Sequence, residues 1–269
     1  EKVEKLRSRI NNVNTKDPVQ LLPNAGSFAF RSGTTKEVEG ILKKMKRSRS
    51  SGIDGISTEV AKMAIKILAP AIKDLIDCSL YEGIFPESFK RAKITCIYKG
   101  KGQKSDMNSY RPVSNLTLFG KCIEVAADIQ LRTYCEKYNL FGSHQHGFRR
   151  SRSTSTAMMT AISRWRDRKS HKKYQAALIF DLSAAYDLLD KDVFLSKAEK
   201  YGISGTALQW LRSYLTDRSQ VVQVGSALSV PRQLKFGTPQ GSSCSCVIFA
   251  LFVGDICRWV GEGFVIAFA

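Results

Sequence analysis

The sequence predicts an α+β fold, a small antiparallel sheet backed by helices. Three observations carry that reading. From Ala176 onward the order is strand, helices, hairpin, helix, strand. Before Ala176, apolar residues recur at helical spacing in separate segments, interrupted by one β-rich run from Ala92 to Tyr98. Between the two halves, Ala176-Ala177-Leu178-Ile179-Phe180 is an apolar run too short for a typical helix. It reads as a buried strand that delivers Asp181 to the open end of the sheet.

The elements follow in order. Residues 1–33 are weakly patterned, broken by Pro18, Pro23, Gly26 and Gly33, and read as a leader or linker. Thr34-x-x-Glu37 is a capping box, and Val38, Ile41, Leu42 and Met45 give the following helix an apolar face. A basic run, Lys43 to Arg49, leads into the glycine-bounded loop Ser50 to Ile56. Ser57 caps a further helix, and Pro70 is placed to begin its second segment, which Gly83 and Pro86 close. After the strand Ala92–Tyr98 comes a basic turn, Lys99-Gly100-Lys101-Gly102-Gln103-Lys104. Pro112 forces Arg111 out of helical geometry. A long helix is expected over about Asn115 to Tyr138, then a basic loop His144 to Thr154, then a helix through Trp165. Beyond Asp187, helices are expected over Asp192–Tyr201 and around Leu208, Leu211 and Leu215. Gln220–Val224 and Val230–Lys235 read as a hairpin. Phe236 to Ser242 is a glycine-rich turn opening an apolar helix to about Val260, and Phe264–Ala269 begins a last strand.

Composition narrows the partners. The 269 residues carry 42 Lys and Arg against 24 Asp and Glu, a net charge of +18. That excess favours a polyanion, nucleic acid or an anionic membrane. No apolar run nears the roughly 20 residues that span a bilayer; the longest, Val247 to Val253, is followed within two residues by Asp255. Glu1 to Asn14 is charged and polar, unlike a secretory signal. Nucleic acid is the expected partner, with no membrane, in an intracellular protein, nuclear or cytoplasmic. The seven cysteines, an odd number without a CxxC, read as reduced thiols. Cys135, His144 and His146 match no common zinc spacing.

Three features carry chemistry, and each has a plainer reading beside it. A carboxylate at Asp181 suits a hard cation such as Mg2+, or caps the turn after a strand. Lysine point charges at Lys99–Lys104 plus the Arg111 fork suit a triphosphate, or form a solvated charge run. Gly237 to Gly241 lets backbone approach a base pair closely, or makes an ordinary tight turn before a helix.

Four motifs in order resolve these alternatives: Ser109-Tyr110-Arg111-Pro112-Val113-Ser114, Gln145-His146-Gly147-Phe148-Arg149, Asp181-x-x-x-x-Tyr186-Asp187 and Gly237-Thr238-Pro239-Gln240-Gly241-Ser242. Together they resemble reverse transcriptases, most of all those of non-LTR (LINE-type) retrotransposons, over roughly residues 35–269. The resemblance implies a right-hand polymerase: residues 1–33 a leader, 34–174 the fingers, 175–269 an incomplete palm, and the thumb absent. It implies an RNA-directed DNA polymerase taking an RNA template, a DNA primer and deoxynucleoside triphosphates. Asp181, aided by the Leu182 carbonyl, would bind two Mg2+ ions that drive nucleotidyl transfer. Lys99, or Lys101 in its place, and Arg111 would hold the triphosphate. Tyr186 would be the aromatic gate that clashes with a ribose 2′-OH. Gln240 and Gly241 would pack against the nascent pair, and Gly147, Phe148, Arg149 and Arg152 would face the template strand. Asp187 reads as a turn-stabilising acid, outside the metal set.

The family's second metal motif, an aromatic-Ala-Asp-Asp turn, would follow Val265-Ile266-Ala267-Phe268-Ala269, where the sequence ends. Asp255 and Glu262 do not fit that pattern. The expectation is therefore an incomplete two-ion site and a chain that does not polymerise by itself. A rival reading is a non-catalytic nucleic-acid-binding remnant. A maturase would need an RNA-binding thumb extension. The sequence sets no oligomeric state.

Overall fold

A computed structural model describes residues 26–182, 184–260 and 263–268. The chain is α+β, with a helical core against which a small mixed sheet lies. In order it runs α1 (Thr35–Lys44), α2 (Thr58–Met63), α3 (Ile65–Glu82), β1 (Arg91–Tyr98), β2 (Tyr110–Asn115), α4 (Leu118–Lys137) and α5 (Thr154–Ser170). Then follow α6 (Lys191–Lys200), α7 (Gly205–Leu215), β3 (Ser219–Val224), β4 (Ala227–Leu228), β5 (Arg232–Gln233) and α8 (Ser243–Phe252).

Local chemistry explains most of the starts. Thr34 and Glu37 form the expected capping box, and Arg31 brackets the Glu37 carboxylate at 2.5 Å. The Arg31 and Thr34 hydrogen bonds hold that carboxyl down at about 2. Thr117 caps α4 through Gly120 N–H, and Asp54 reaches across from the preceding loop to accept Leu118 N–H at 3.0 Å. The helix break expected at Pro70 falls instead at Ala64, whose φ of −117° and ψ of 25° leave the helical region. Pro70 lies inside α3 on its exposed side, where a carbonyl left without its donor can reach water.

The sheet order is β2-β1-β3-β4, with β5 also on β3. β1 pairs antiparallel with β2 but parallel with β3, so the sheet is mixed rather than antiparallel. The β1–β3 ladder also joins strands from either side of residue 174, the expected boundary between fingers and palm. The expected hairpin tightens: β3 turns at Gly225-Ser226 into β4, and β5 returns onto Ser219 and Gln220. α8 stops at Phe252, short of the expected Val260.

The core is helical. α3, α4, α6, α7 and α8 bury a continuous set that includes Ile76, Ile123, Leu131, Phe194, Trp210, Leu211 and Val247. Aromatic rings tie it together: Trp210 stacks on Tyr214 with centroids 5.3 Å apart, and Phe85 meets both edge-on. Phe28 and Phe30 belong to the same cluster, 5.0 Å from Tyr134 and 5.5 Å from Trp210 respectively. Phe28 and Phe30 thus anchor to the core a stretch expected to be a leader or linker; residues 1–25 of that expectation lie outside the described residues. Phe28 N–H donates to the Gly202 carbonyl, which fixes the strap against the α6–α7 turn.

The largest departure is the stretch expected to be the central strand. Ala176 to Asp181 has no strand structure, and Ile179 is 95% exposed with Leu178 and Phe180 nearly as open. A strand needs a neighbour for its backbone groups, and no described strand pairs with this one. The last expected strand, Phe264–Ala269, makes a single parallel bridge between Ala267 and Gln145 over its described residues.

Candidate nucleotide and nucleic-acid interface

The Gly237–Ser242 turn organises the site. Gly237 has φ of +77°, and a Cβ there would lie 2.5 Å from the Tyr186 carbonyl oxygen and 2.7 Å from Asp187 Cα. Only glycine allows that approach. Thr238 N–H donates to the Tyr186 carbonyl at 2.9 Å, and Gly237 N–H to that of Leu189 at 3.0 Å. On its other side the turn meets β2, where Ser114 N–H donates to the Gln240 carbonyl at 3.0 Å. Gly241, at φ +97°, faces Val113 and the Ser114 carbonyl. Ser242 then caps α8, with Ser242 N–H and Ser245 Oγ both donating to the Pro239 carbonyl. One turn therefore sets Tyr186, Gln240, Gly241 and β2 side by side.

Tyr186 enters from a turn in which Ala184 takes φ of +55°. Its ring lies 5.1 Å from Phe249 on α8. Burial pushes the phenol well above its ordinary range, with the Cys246 thiol adding to the shift. The ring is a half-buried, neutral plate.

Arg111 stands exposed on β2 opposite Ile97. It is about 10 Å along the strand from Ser114. The β1–β2 loop is stapled by two phenols. Tyr98 donates to the Gly102 carbonyl at 2.6 Å and Tyr110 to that of Lys104 at 2.9 Å, with their rings 5.6 Å apart. Lys99 Nζ donates to the Asn108 carbonyl at 2.8 Å within this loop, while Lys101 stands exposed at the tip.

The residues expected to face a template divide. Arg149 is tied into the fold: it pairs with Glu136 at 2.6 Å, donates to the Gly142 carbonyl and lies over the Phe141 ring, its side chain 7% exposed. It braces the loop from within. Gly147 is buried. Phe148 is exposed at φ +56°, with its carbonyl held by Arg132, and Arg152 donates to the Ser143 carbonyl at 2.6 Å.

Asp181 is exposed, as is Leu182, and Ser183 between them and Ala184 is outside the described residues. Among the described residues no three His, Cys, Asp or Glu side chains gather as a metal would require. One carboxylate and one carbonyl do not fit a two-ion site on their own, so no step is routed through metal below. The described cysteines are all free thiols; Cys135 is buried, and His146 Nδ1 is engaged by Thr156 Oγ1 at 2.9 Å. No described helix is long and apolar enough to cross a membrane.

Sequence reasoning passed over the residues that hold the turn in place. Ser114 acts through its backbone, which leaves no signal in sequence. Glu124 did leave one: it falls on the buried stripe of α4 with Ala127 and Leu131, at spacings of three and seven residues.

Comparison with known proteins bears on this arrangement. Residues 100–269 match the family model described as reverse transcriptase (RNA-dependent DNA polymerase). The chain is 28% identical over 237 residues to a probable RNA-directed DNA polymerase from transposon BS of Drosophila melanogaster, covering 86% of this chain and 25% of that protein. It is 25% identical over 234 residues to the RNA-directed DNA polymerase from mobile element jockey of the same fly, with 86% and 25% covered. A 149 kDa protein of transposon TX1 from Xenopus laevis is 21% identical over 229 residues, with 82% and 17% covered. The chain spans about a quarter or less of the length of these relatives.

Proposed function

Because the chain belongs to the reverse transcriptase (RNA-dependent DNA polymerase) family, of the non-LTR retrotransposon kind, we propose that it receives a deoxynucleoside triphosphate on an RNA template and DNA primer. The observation that carries this reading is the convergence of Tyr186, Gln240, Gly241 and the Arg111 strand around one glycine turn. In this proposal residues 34–174 act as fingers and 175–269 as palm, and the protein works inside the cell, in nucleus or cytoplasm.

Each residue has a physical task. Arg111 offers a planar fork to phosphate oxygens, and Lys99 or Lys101 adds a point charge. The Tyr186 ring, backed by Phe249, is rigid enough to exclude a 2′-hydroxyl by contact rather than by attraction. Gln240 and Gly241 present backbone to the forming pair, since Gly241 adds no side chain. Phe148 offers a ring for base stacking and Arg152 a charge for the template backbone. Asp181 and the Leu182 carbonyl would supply part of the oxygen ligation that a hard cation such as Mg2+ takes, and the charge stabilisation such an ion brings.

Binding is the direct test. Fluorescence anisotropy of an RNA–DNA template–primer is expected to show affinity falling linearly with log salt, at a slope of about −0.7 per single-strand phosphate contact. Addition of the next complementary deoxynucleotide should tighten the complex, and the matching ribonucleotide should not. Tyr186→Ala should remove that distinction, and Arg111→Ala should weaken the nucleotide without weakening the template. A salt-independent affinity, or equal response to both sugars in the unaltered chain, would overturn the proposal.

A further inference from the structure

The fold buries one ionic pair that the nucleotide-binding proposal does not use. Glu124 on α4 is fully buried, and so is Arg218, which leads from α7 into β3. The Arg218 guanidinium lies 4.8 Å from the Tyr214 ring and 5.3 Å from that of Phe85, two rings that meet edge-on, and Nη1 donates to the Tyr214 carbonyl at 2.9 Å. Its Nη2 lies 3.9 Å from Glu124 Oε1, and neither atom has a hydrogen bond. A charge pair taken out of water at such a separation is a poor stabiliser. Its geometry calls for another account.

That account lies on the far side of the carboxyl. The hydroxyls of Ser242 and Tyr214 and the Glu124 carboxyl form one hydrogen-bonded cluster, with Tyr214 Oη and Ser242 Oγ 2.5 Å apart. Cys244 Sγ donates to the Glu124 backbone carbonyl at 3.2 Å. Ser242 and Cys244 follow Gly241 directly and form the first turn of α8. Besides its bonds to the Tyr186 and Leu189 carbonyls, the Gln240 turn is therefore gripped by Ser114 N–H from the sheet and, through Ser242, by a carboxyl in the core.

We propose that Glu124, held in place by Arg218, is a positioning residue that sets where Gln240 and Gly241 stand. It acts through the Ser242 hydroxyl and touches no substrate itself. Arg218 keeps the carboxyl aimed, and the Tyr214 and Phe85 rings beside it help a cation sit in the core without a close partner. What the turn touches rests on the nucleotide-binding proposal; how the turn is held does not.

The test separates the two. Amide hydrogen exchange is followed at Ser114 and Ser242, which report on the turn, and at Tyr201, whose N–H bonds the Lys197 carbonyl in α6 away from it. Glu124→Leu should accelerate exchange at Ser114 and Ser242 about ten-fold more than at Tyr201. Glu124→Gln, which keeps an oxygen for Ser242, should restore the protection. Glu124→Leu/Arg218→Met leaves no unpaired charge in the core, so it should recover the urea midpoint but not the turn's protection. Uniform acceleration at all three amides, or recovery of both properties in the double variant, would overturn the positioning role. In a parallel arm a photoreactive group replaces Gln240. Template–primer crosslinking in the unaltered background that is lost in Glu124→Leu at equal affinity supports the role. Crosslinking that persists at the same nucleotide would overturn it. Absence of crosslinking even in the unaltered background would speak against the nucleotide-binding proposal and leave the exchange result to decide the positioning one.

Discussion

The Gln240 turn and the Ala176–Asp181 stretch look equally marked in sequence, yet the fold treats them oppositely. The turn is held from the sheet by Ser114, from the chain's own Tyr186 and Leu189 carbonyls, and from the core through Ser242. The stretch has no ladder, and its Leu178, Ile179 and Phe180 point into solvent. A turn needs a few groups close at hand, and a glycine with the right φ supplies most of its geometry. A strand needs a whole second strand. The lesson is that the organising element of this structure is the turn, which gathers Tyr186, Gln240, Gly241 and β2, rather than the stretch before Asp181.

Several substitutions would break or sharpen that contrast. The core beside the turn should be the most sensitive place. Trp210→Ala removes a fully buried ring stacked on Tyr214 and bonded to Ser79, and should cost about 3–5 kcal/mol in urea unfolding. Gly237→Ala forces a side chain onto the Tyr186 carbonyl at positive φ, and should cost about 1–3 kcal/mol while loosening the Tyr186–Phe249 contact, read from tyrosine fluorescence.

A smaller effect is expected from pH. Burial lowers the affinity of His144 and His146 for a proton, with Arg149 and Arg152 adding repulsion. Their folded-state values lie below the ordinary 6.5. The unfolded chain therefore takes up protons first as pH falls through that value, and stability present above it is lost. The urea midpoint should be level from pH 7 to 8 and decline between about 6.5 and 5. A rise across the same window would contradict the burial of these rings.

The smallest effect should come from the exposed stretch: Ile179→Ser, at a residue 95% open, should stay within about 0.5 kcal/mol. A loss near that of Trp210→Ala would mean that the stretch is packed after all, and the contrast would fail.

How much was legible in the sequence follows the same division. The capping box at Thr34, the helix after Thr117, the helices from Lys191 and Gly205, and the glycine turn before α8 were readable, because each depends on neighbours in sequence. The parallel β1–β3 ladder was not, since nothing local records that Arg91 lies opposite Ser219. Phe28 and Phe30 looked like part of a linker because their partners, Tyr134 and Trp210, lie more than a hundred residues away. In the candidate site Gln240 and Gly241 fall on one turn, with the Tyr186 turn on one side of it and the Arg111 strand on the other. Arg149 was expected at the template from the resemblance of its motif, and nothing local in the sequence records that Glu136 lies in reach of its guanidinium.

The most direct test of that gathering is photo-crosslinking. An azido-deoxynucleoside triphosphate would be bound to the chain on an RNA–DNA template–primer and the adducts mapped by peptide mass spectrometry. The account predicts adducts within the Tyr98–Arg111 loop and at Thr238 to Cys246, beside Tyr186. Adducts confined to the charge runs at Lys43–Arg49 or Arg164–Lys173 would contradict it, because the nucleotide would then follow net charge and not the geometry built around Gly237.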